Sequence, residues 1–177
     1  MGQSSKYTID LKSVRSDTYE DTILLDDAYF ASSDMQEIHS GNVEARVRLR
    51  KTVGLFDIHF DFKGEVLVTC DRCLDDLRWP VDTTAHLVVK LGESYEEESE
   101  EILVLPMADA VLDMSWLLYE YIELSLPFQR VHADGMCNPE MIRRLGDFAL
   151  LSQEDQGQIP VSDGRWDTLK ELRNLSD

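Results

Sequence analysis

The sequence predicts an α+β fold: an antiparallel β-meander or partly closed barrel over roughly residues 6–105, with one or two covering helices and a short C-terminal tail helix. Three observations carry this. Between residues 42 and 91 apolar and polar side chains alternate, the period of a strand with one buried face. The alternating runs are separated by short turn-like stretches, so each strand returns beside the last. Residues 114–126 then place apolar side chains at helical spacing and stop at Pro127.

The elements follow in order. Residues 6–14 alternate weakly and suit a first short strand, and residues 18–25 suit a second. Asp26-Asp27 open Ala28-Tyr29-Phe30-Ala31, one helical turn with an acidic start. Residues 32–41 read as loop. Val43, Ala45, Val47 and Leu49 alternate with Glu44, Arg46, Arg48 and Arg50. Thr52-Val53-Gly54 turns the chain into a long strand carrying Phe56, Ile58, Phe60 and Phe62, with Gly64 expected to bulge it. That strand delivers Cys70 and Cys73 to its tip, residues 78–81 return from it, and residues 85–91 give another strand. Residues 92–101 crowd acidic side chains and read as a mobile loop, and residues 102–105 as a short strand.

Asp113 is the expected N-cap of the 114–126 helix, whose buried face would carry Leu117, Tyr121 and Leu124, widened by Leu118 and Ile122. Asn138-Pro139 marks a second helix start, with Ile142, Leu145 and Phe148 on its apolar side. In domain terms, residues 1–150 read as a single α+β domain. Residues 151–177 read as a polar linker followed by a docking segment around Trp166, Leu169 and Leu172.

Composition narrows the function. No apolar run reaches the roughly 18 residues of a membrane span, and the N-terminus lacks a signal-peptide pattern. Three cysteines, an odd number, fit a reducing compartment, so a cytoplasmic protein without membrane association is expected. The net charge is −18, from 35 acids against 17 bases, a field that repels phosphate and attracts a basic protein. The acidity alone is also consistent with plain solubility. Two local features stand out against that field. Glu96, Glu97, Glu98, Glu100 and Glu101 form a candidate partner-binding run, and Arg46, Arg48, Arg50 and Lys51 a candidate basic face.

The candidate chemistry lies in sulfur and imidazole. Cys70 and Cys73 are spaced C-x-x-C, and His132 and Cys137 lie downstream as H-x4-C. Four soft ligands from two loops are what a tetrahedral structural zinc uses. Redox-active thiols and plain thiols without metal stay open. Redox pairs, however, sit at the N-terminus of a helix, and residues 74–81 read as a hairpin arm. His39, His59 and His86 have no ligand-like neighbours in sequence. No phosphate-binding glycine loop or Ser/His/Asp arrangement stands out, so no enzymatic activity is expected.

Thr69-Cys70-Asp71-Arg72-Cys73-Leu74, residues 124–130, the segment from Val131-His132 to Cys137-Asn138-Pro139-Glu140-Met141, and Asp163-Gly164-Arg165-Trp166 together resemble the YceD-like family, in the form found in Bacteroidetes. Its members are large ribosomal RNA subunit accumulation proteins. The resemblance covers essentially the whole chain and implies a non-enzymatic role in large-subunit biogenesis. It points to a basic large-subunit ribosomal protein or a pre-ribosomal particle as partner, with direct RNA contact left open. The alternative is a thiol-based redox or metal-handling protein. Many members carry a second close cysteine pair near the C-terminus, where this chain has only Cys137. His132 is then the substitute ligand to test.

Overall fold

The computed structural model of the chain describes residues 6–32 and 37–155. By its contacts the chain divides into two compact units, Met1–Ala133 and Asp134–Asp177.

The first unit is built on a six-stranded sheet. In chain order its strands are β2 (Thr18–Leu25), β3 (Ile38–Thr52), β4 (Leu55–Thr69), β5 (Asp76–Gly92), β6 (Glu96–Ser99) and β7 (Ile102–Pro106). They lie side by side as β2-β3-β4-β5-β7-β6, and every pair is antiparallel except β5 with β7. Of the two architectures expected, a meander or a partly closed barrel, β2–β5 form the meander and the sheet stays open, with β2 and β6 as its edges among the described residues. β1 (Thr8–Asp10) and β8 (Val111–Asp113) form a separate two-stranded ribbon.

The period-two pattern decides which face is core. Val43, Ala45 and Val47 on β3 and Ile58, Phe60 and Phe62 on β4 are fully buried. Each large side chain so buried stabilises by roughly 1.5–3 kcal/mol. Over that face lie α1 (Asp27–Ser32) and α2 (Ser115–Ser125). Tyr29 donates its hydroxyl hydrogen to the Ser115 carbonyl at 2.6 Å, and Tyr119 sets its ring 6.4 Å from Phe30. Tyr121 packs on the Phe60 and Phe62 rings.

Five local expectations need correction. Residues 38–41 are strand rather than loop, because Ile38 and Ser40 pair with Val68 and Leu67 on β4 around a register shift. Gly64 makes no bulge: the register runs through it, paired with Val43 on one side and Val81 on the other. It is glycine because β3 passes so close that a Cβ would stand 2.1 Å from the Asn42 carbonyl oxygen. The acidic stretch is an edge strand, β6, whose backbone pairs with β7 while its glutamates stay in solvent. Lys90 offsets part of the repulsion, 2.5 Å from Glu98.

The buried face of α2 is also rotated, to Leu118, Tyr119 and Ile122; Leu124 is exposed. Packing against α1 as well as the sheet selects that side. Asp113 does accept the Ser115 N–H at 2.9 Å, although Met114 is the residue flanking the helix. The fifth correction concerns the basic face. Arg48 is bound twice to Asp61, at 3.1 and 2.6 Å, Arg50 to Asp57 at 3.1 Å, and Arg46 lies 3.7 Å from Glu20. β2 and β4 set acids beside these three bases, so the arginines of the stripe are charge-paired.

The second unit contributes α3 (Pro139–Asp155), which runs past residue 151, where the linker was expected to begin. Asn138 caps it, its side-chain oxygen accepting the N–H of Glu140 at 3.0 Å, and Pro139 occupies the first helical position. Ile142, Leu145 and Phe148 are exposed. The expected docking segment around Trp166 lies outside the described residues. Among the described residues no helix is long and apolar enough to cross a membrane.

Candidate metal centre

The hairpin of β4 and β5 closes through residues 70–75, and this closure forms a tight knuckle. The Cys70 N–H donates to the Asp75 carbonyl and the Leu74 N–H to the Cys70 carbonyl, both at 2.9 Å. Leu74 takes φ +63, a left-handed conformation costing roughly 1–2 kcal/mol for a residue with a Cβ. Strain of this kind collects where geometry matters more than local comfort.

A second segment is sewn to the knuckle. The Asp71 N–H donates to the Arg130 carbonyl at 2.7 Å, and the Arg130 N–H returns to the Asp71 carboxylate at 2.6 Å. The Arg130 guanidinium adds an ion pair to Glu37 at 2.9 Å. Two residues further on, His132 therefore arrives at the cysteines. Its Nδ1 stands 3.4 Å from Cys73 Sγ, and its Nε2 lies 3.1 Å from the Asp76 carbonyl oxygen. A carbonyl only accepts, so Nε2 carries a hydrogen, which leaves Nδ1 as the nitrogen that faces the sulfur. Metal-bound histidines are oriented in this way, one nitrogen on the ion and the other donating to a fixed oxygen.

The donor atoms of Cys70, Cys73 and His132 lie within 4.8 Å of one another. Burial would push the Cys70 thiol up, but backbone N–H groups of Cys73, His132 and Arg72 directed at its sulfur outweigh this and bring it down to about 6. His132 loses some basicity to desolvation but gains more from the two sulfurs, and it moves up from its ordinary value. Thiolate and imidazole facing one another, with backbone donors behind the sulfur, form a donor set compatible with zinc. The fourth expected ligand, Cys137, is buried and opens the second unit one residue before the α3 cap. The C-x-x-C pair sits in a hairpin closure rather than at a helix start, which does not favour the redox reading.

The acidic residues expected to bind a partner lie elsewhere in the first unit. Glu96, Glu97 and Glu98 are on β6 and Glu100 and Glu101 follow it, all exposed. Glu97, Glu101 and Glu120 border a groove of about 1490 Å3 whose lining also includes Trp116, Tyr121 and Leu124. The Tyr121 hydroxyl is buried and has no hydrogen-bond partner among the described residues. Burial first, then the charges of Glu120 and Glu101, push it up to about 12.

One cluster was missed. Asp57, His59 and His86 bring their donor atoms within 4.8 Å on the outer sheet face. Hairpin symmetry held the information: counting back ten residues along each arm from the Thr69–Asp76 pair reaches His59 and His86, which face one another.

Comparisons with known proteins now bear on identity. A family model described as "Large ribosomal RNA subunit accumulation protein YceD" matches residues 58–173. "Uncharacterized protein YlbN" of Bacillus subtilis (strain 168) is 22% identical over 138 residues, which cover 78% of each chain. No solved structure matches the chain. The family match takes in the second arm of the β3–β4 pair, the knuckle, both helices that follow it and the segment beyond, well over half the sequence, and the chain belongs to the YceD family.

Proposed function

We propose that this protein is a non-enzymatic cytoplasmic factor for biogenesis of the large ribosomal subunit, acting by holding a basic large-subunit ribosomal protein, free or on a pre-ribosomal particle. Family membership supports the ribosomal setting. The groove carries the choice of partner. Its acidic border and its apolar lining of Trp116, Tyr121 and Leu124 suit a cationic segment with an apolar anchor. The pairing of Arg46, Arg48 and Arg50 with acids leaves that stripe poorly suited to a phosphate backbone.

In the same reading zinc sits on Cys70, Cys73, His132 and Cys137. A Cys3His set matches zinc's preference for sulfur and nitrogen, and Cys137 stands five residues after His132, within the reach of a short loop. When bound, the ion would cross-link the knuckle to the downstream loop. Asp71, Arg130 and Asp76 orient that loop through their own hydrogen bonds.

The test is a pull-down of large-subunit proteins by the wild-type chain and by a variant with Glu96, Glu97, Glu98, Glu100 and Glu101 changed to Gln. The wild type should enrich basic large-subunit proteins, and the variant should hold them less tightly with a flatter salt dependence. Equal capture by both chains would remove these glutamates from the interface.

A further inference from the structure

The outer face of the sheet carries a second group of metal donors, unrelated to the cysteines. We propose that Asp57, His59 and His86 form an exchangeable site for a borderline divalent cation such as zinc, nickel or cobalt.

The fold fixes the arrangement. The β4–β5 register sets His59 directly opposite His86, and Asp57 stands two residues earlier on the same face of β4. The two imidazoles stack with centroids 4.6 Å apart and planes 29° from parallel, so their edges project together. Both Nε2 atoms converge on one oxygen, Asp57 Oδ1, from His86 at 2.7 Å and from His59 at 3.3 Å. An ion there replaces the hydrogens that now join ring to carboxylate. Each ring then carries its hydrogen on Nδ1.

Neighbouring groups suit that exchange. Arg50 holds Asp57 Oδ2 at 3.1 Å and leaves Oδ1 turned toward the rings. Glu101 Oε2 lies 4.0 Å from His86 Nδ1, on the side where the displaced hydrogen needs an acceptor. Carboxylates behind metal-bound imidazoles do this work in established sites. The hydrogen bond from His86 outweighs slight burial and keeps the Asp57 carboxyl below its usual range, so it is ionised at neutral pH.

The donor set selects the ion. Two imidazoles and one carboxylate suit zinc, nickel, cobalt and copper, whereas calcium and magnesium require mostly oxygen. The His59 side chain is 52% exposed and that of His86 36%, so water fills the remaining positions and the ion exchanges freely. A buried thiolate site holds zinc far more slowly, and the two are separable in one experiment.

The experiment is calorimetric titration of zinc chloride into the full chain at about pH 7.5, above the ordinary histidine range. The chain is first freed of loosely held metal by gel filtration. A weak class of about one ion is expected. His59→Ala/His86→Ala should abolish it, and Asp57→Asn should weaken it by about 10-fold or more. His39→Ala should leave it in place. Cobalt added to the isotope-labelled wild type should broaden the ring signals of His59 and His86 before that of His39, a readout independent of variant folding. A double variant that keeps the wild-type weak class, or cobalt broadening that spares these two rings, overturns the proposal and leaves the trio as a hydrogen-bonded surface cluster.

Discussion

His132 Nδ1 stands 3.4 Å from Cys73 Sγ across 59 residues of chain, while the opposite nitrogen of the ring is committed to the Asp76 carbonyl. A histidine serving only to fill space has no need of both constraints. Protein purified without chelators should therefore retain about one zinc ion through gel filtration. His132→Ala should lower its retention by about 10-fold or more, and Cys73→Ser should do at least as much. Elemental analysis of the eluted protein reads both. Metal-free wild-type protein with unchanged thermal stability would mean that the cysteines serve as plain thiols.

Removing the metal should not unfold the sheet. A structural zinc contributes roughly 10–16 kcal/mol in small zinc-finger peptides, which have almost no core. Here Val43, Val47, Ile58, Phe60 and Phe62 are wholly buried away from the knuckle. Chelation should lower the melting temperature yet leave the β-type circular dichroism. Phe60→Ala, by contrast, should cost about 3–5 kcal/mol in denaturant unfolding with metal bound, because it opens a cavity beneath Tyr121.

Two glycines should respond differently to alanine. At Gly64 a Cβ would meet the Asn42 oxygen at 2.1 Å and Val43 Cα at 2.7 Å, both backbone atoms, so β3 and β4 must part. A loss of about 3 kcal/mol or more is expected. At Gly54 nothing lies within 4 Å, and only φ +76 opposes a side chain, at a cost of about 1–2 kcal/mol. Urea midpoints of the two variants give the order directly. A Gly54→Ala loss equal to that of Gly64→Ala would contradict the close approach of the strands.

What was legible in the sequence was local. Alternation between Val43 and Val68 displays the strands because one face is buried, and Asn138-Pro139 displays a helix start because cap and proline act on neighbouring residues. The juxtaposition of Cys70, Cys73 and His132 was legible from ligand type and spacing. Long-range pairing was not. The glutamates of β6 show no apolar alternation, since this edge strand buries no side chain, and only β7 makes it a strand. The neutralisation of Arg48 by Asp61 and the meeting of His59 with His86 depend on strand register, which the turns set and composition does not reveal.

Asp57 gives a pH prediction. Its folded carboxyl lies below the ordinary value, chiefly through the His86 hydrogen bond, so its stabilising contribution is complete above the unfolded value near 3.8. It is lost as pH falls through the lower folded value. The stability difference between wild type and Asp57→Asn should be present above the unfolded value near 3.8 and disappear as pH falls below it. Its size should stay within about 1 kcal/mol, because the neighbouring rings are partly in solvent. Denaturant unfolding at several pH values checks this. A difference that widens toward acid would reverse the sign.

Acidic attraction to a basic ribosomal protein is most directly tested by competition. The purified chain is offered large-subunit ribosomal RNA and the extracted large-subunit proteins separately, at about 0.15 M salt, where exposed charges are screened beyond roughly 8 Å. Binding should be confined to one or a few basic proteins, weaken with added salt, and fall further in Trp116→Ala, whose ring lines the groove. Tight binding to the RNA with none to the proteins would contradict the proposed function.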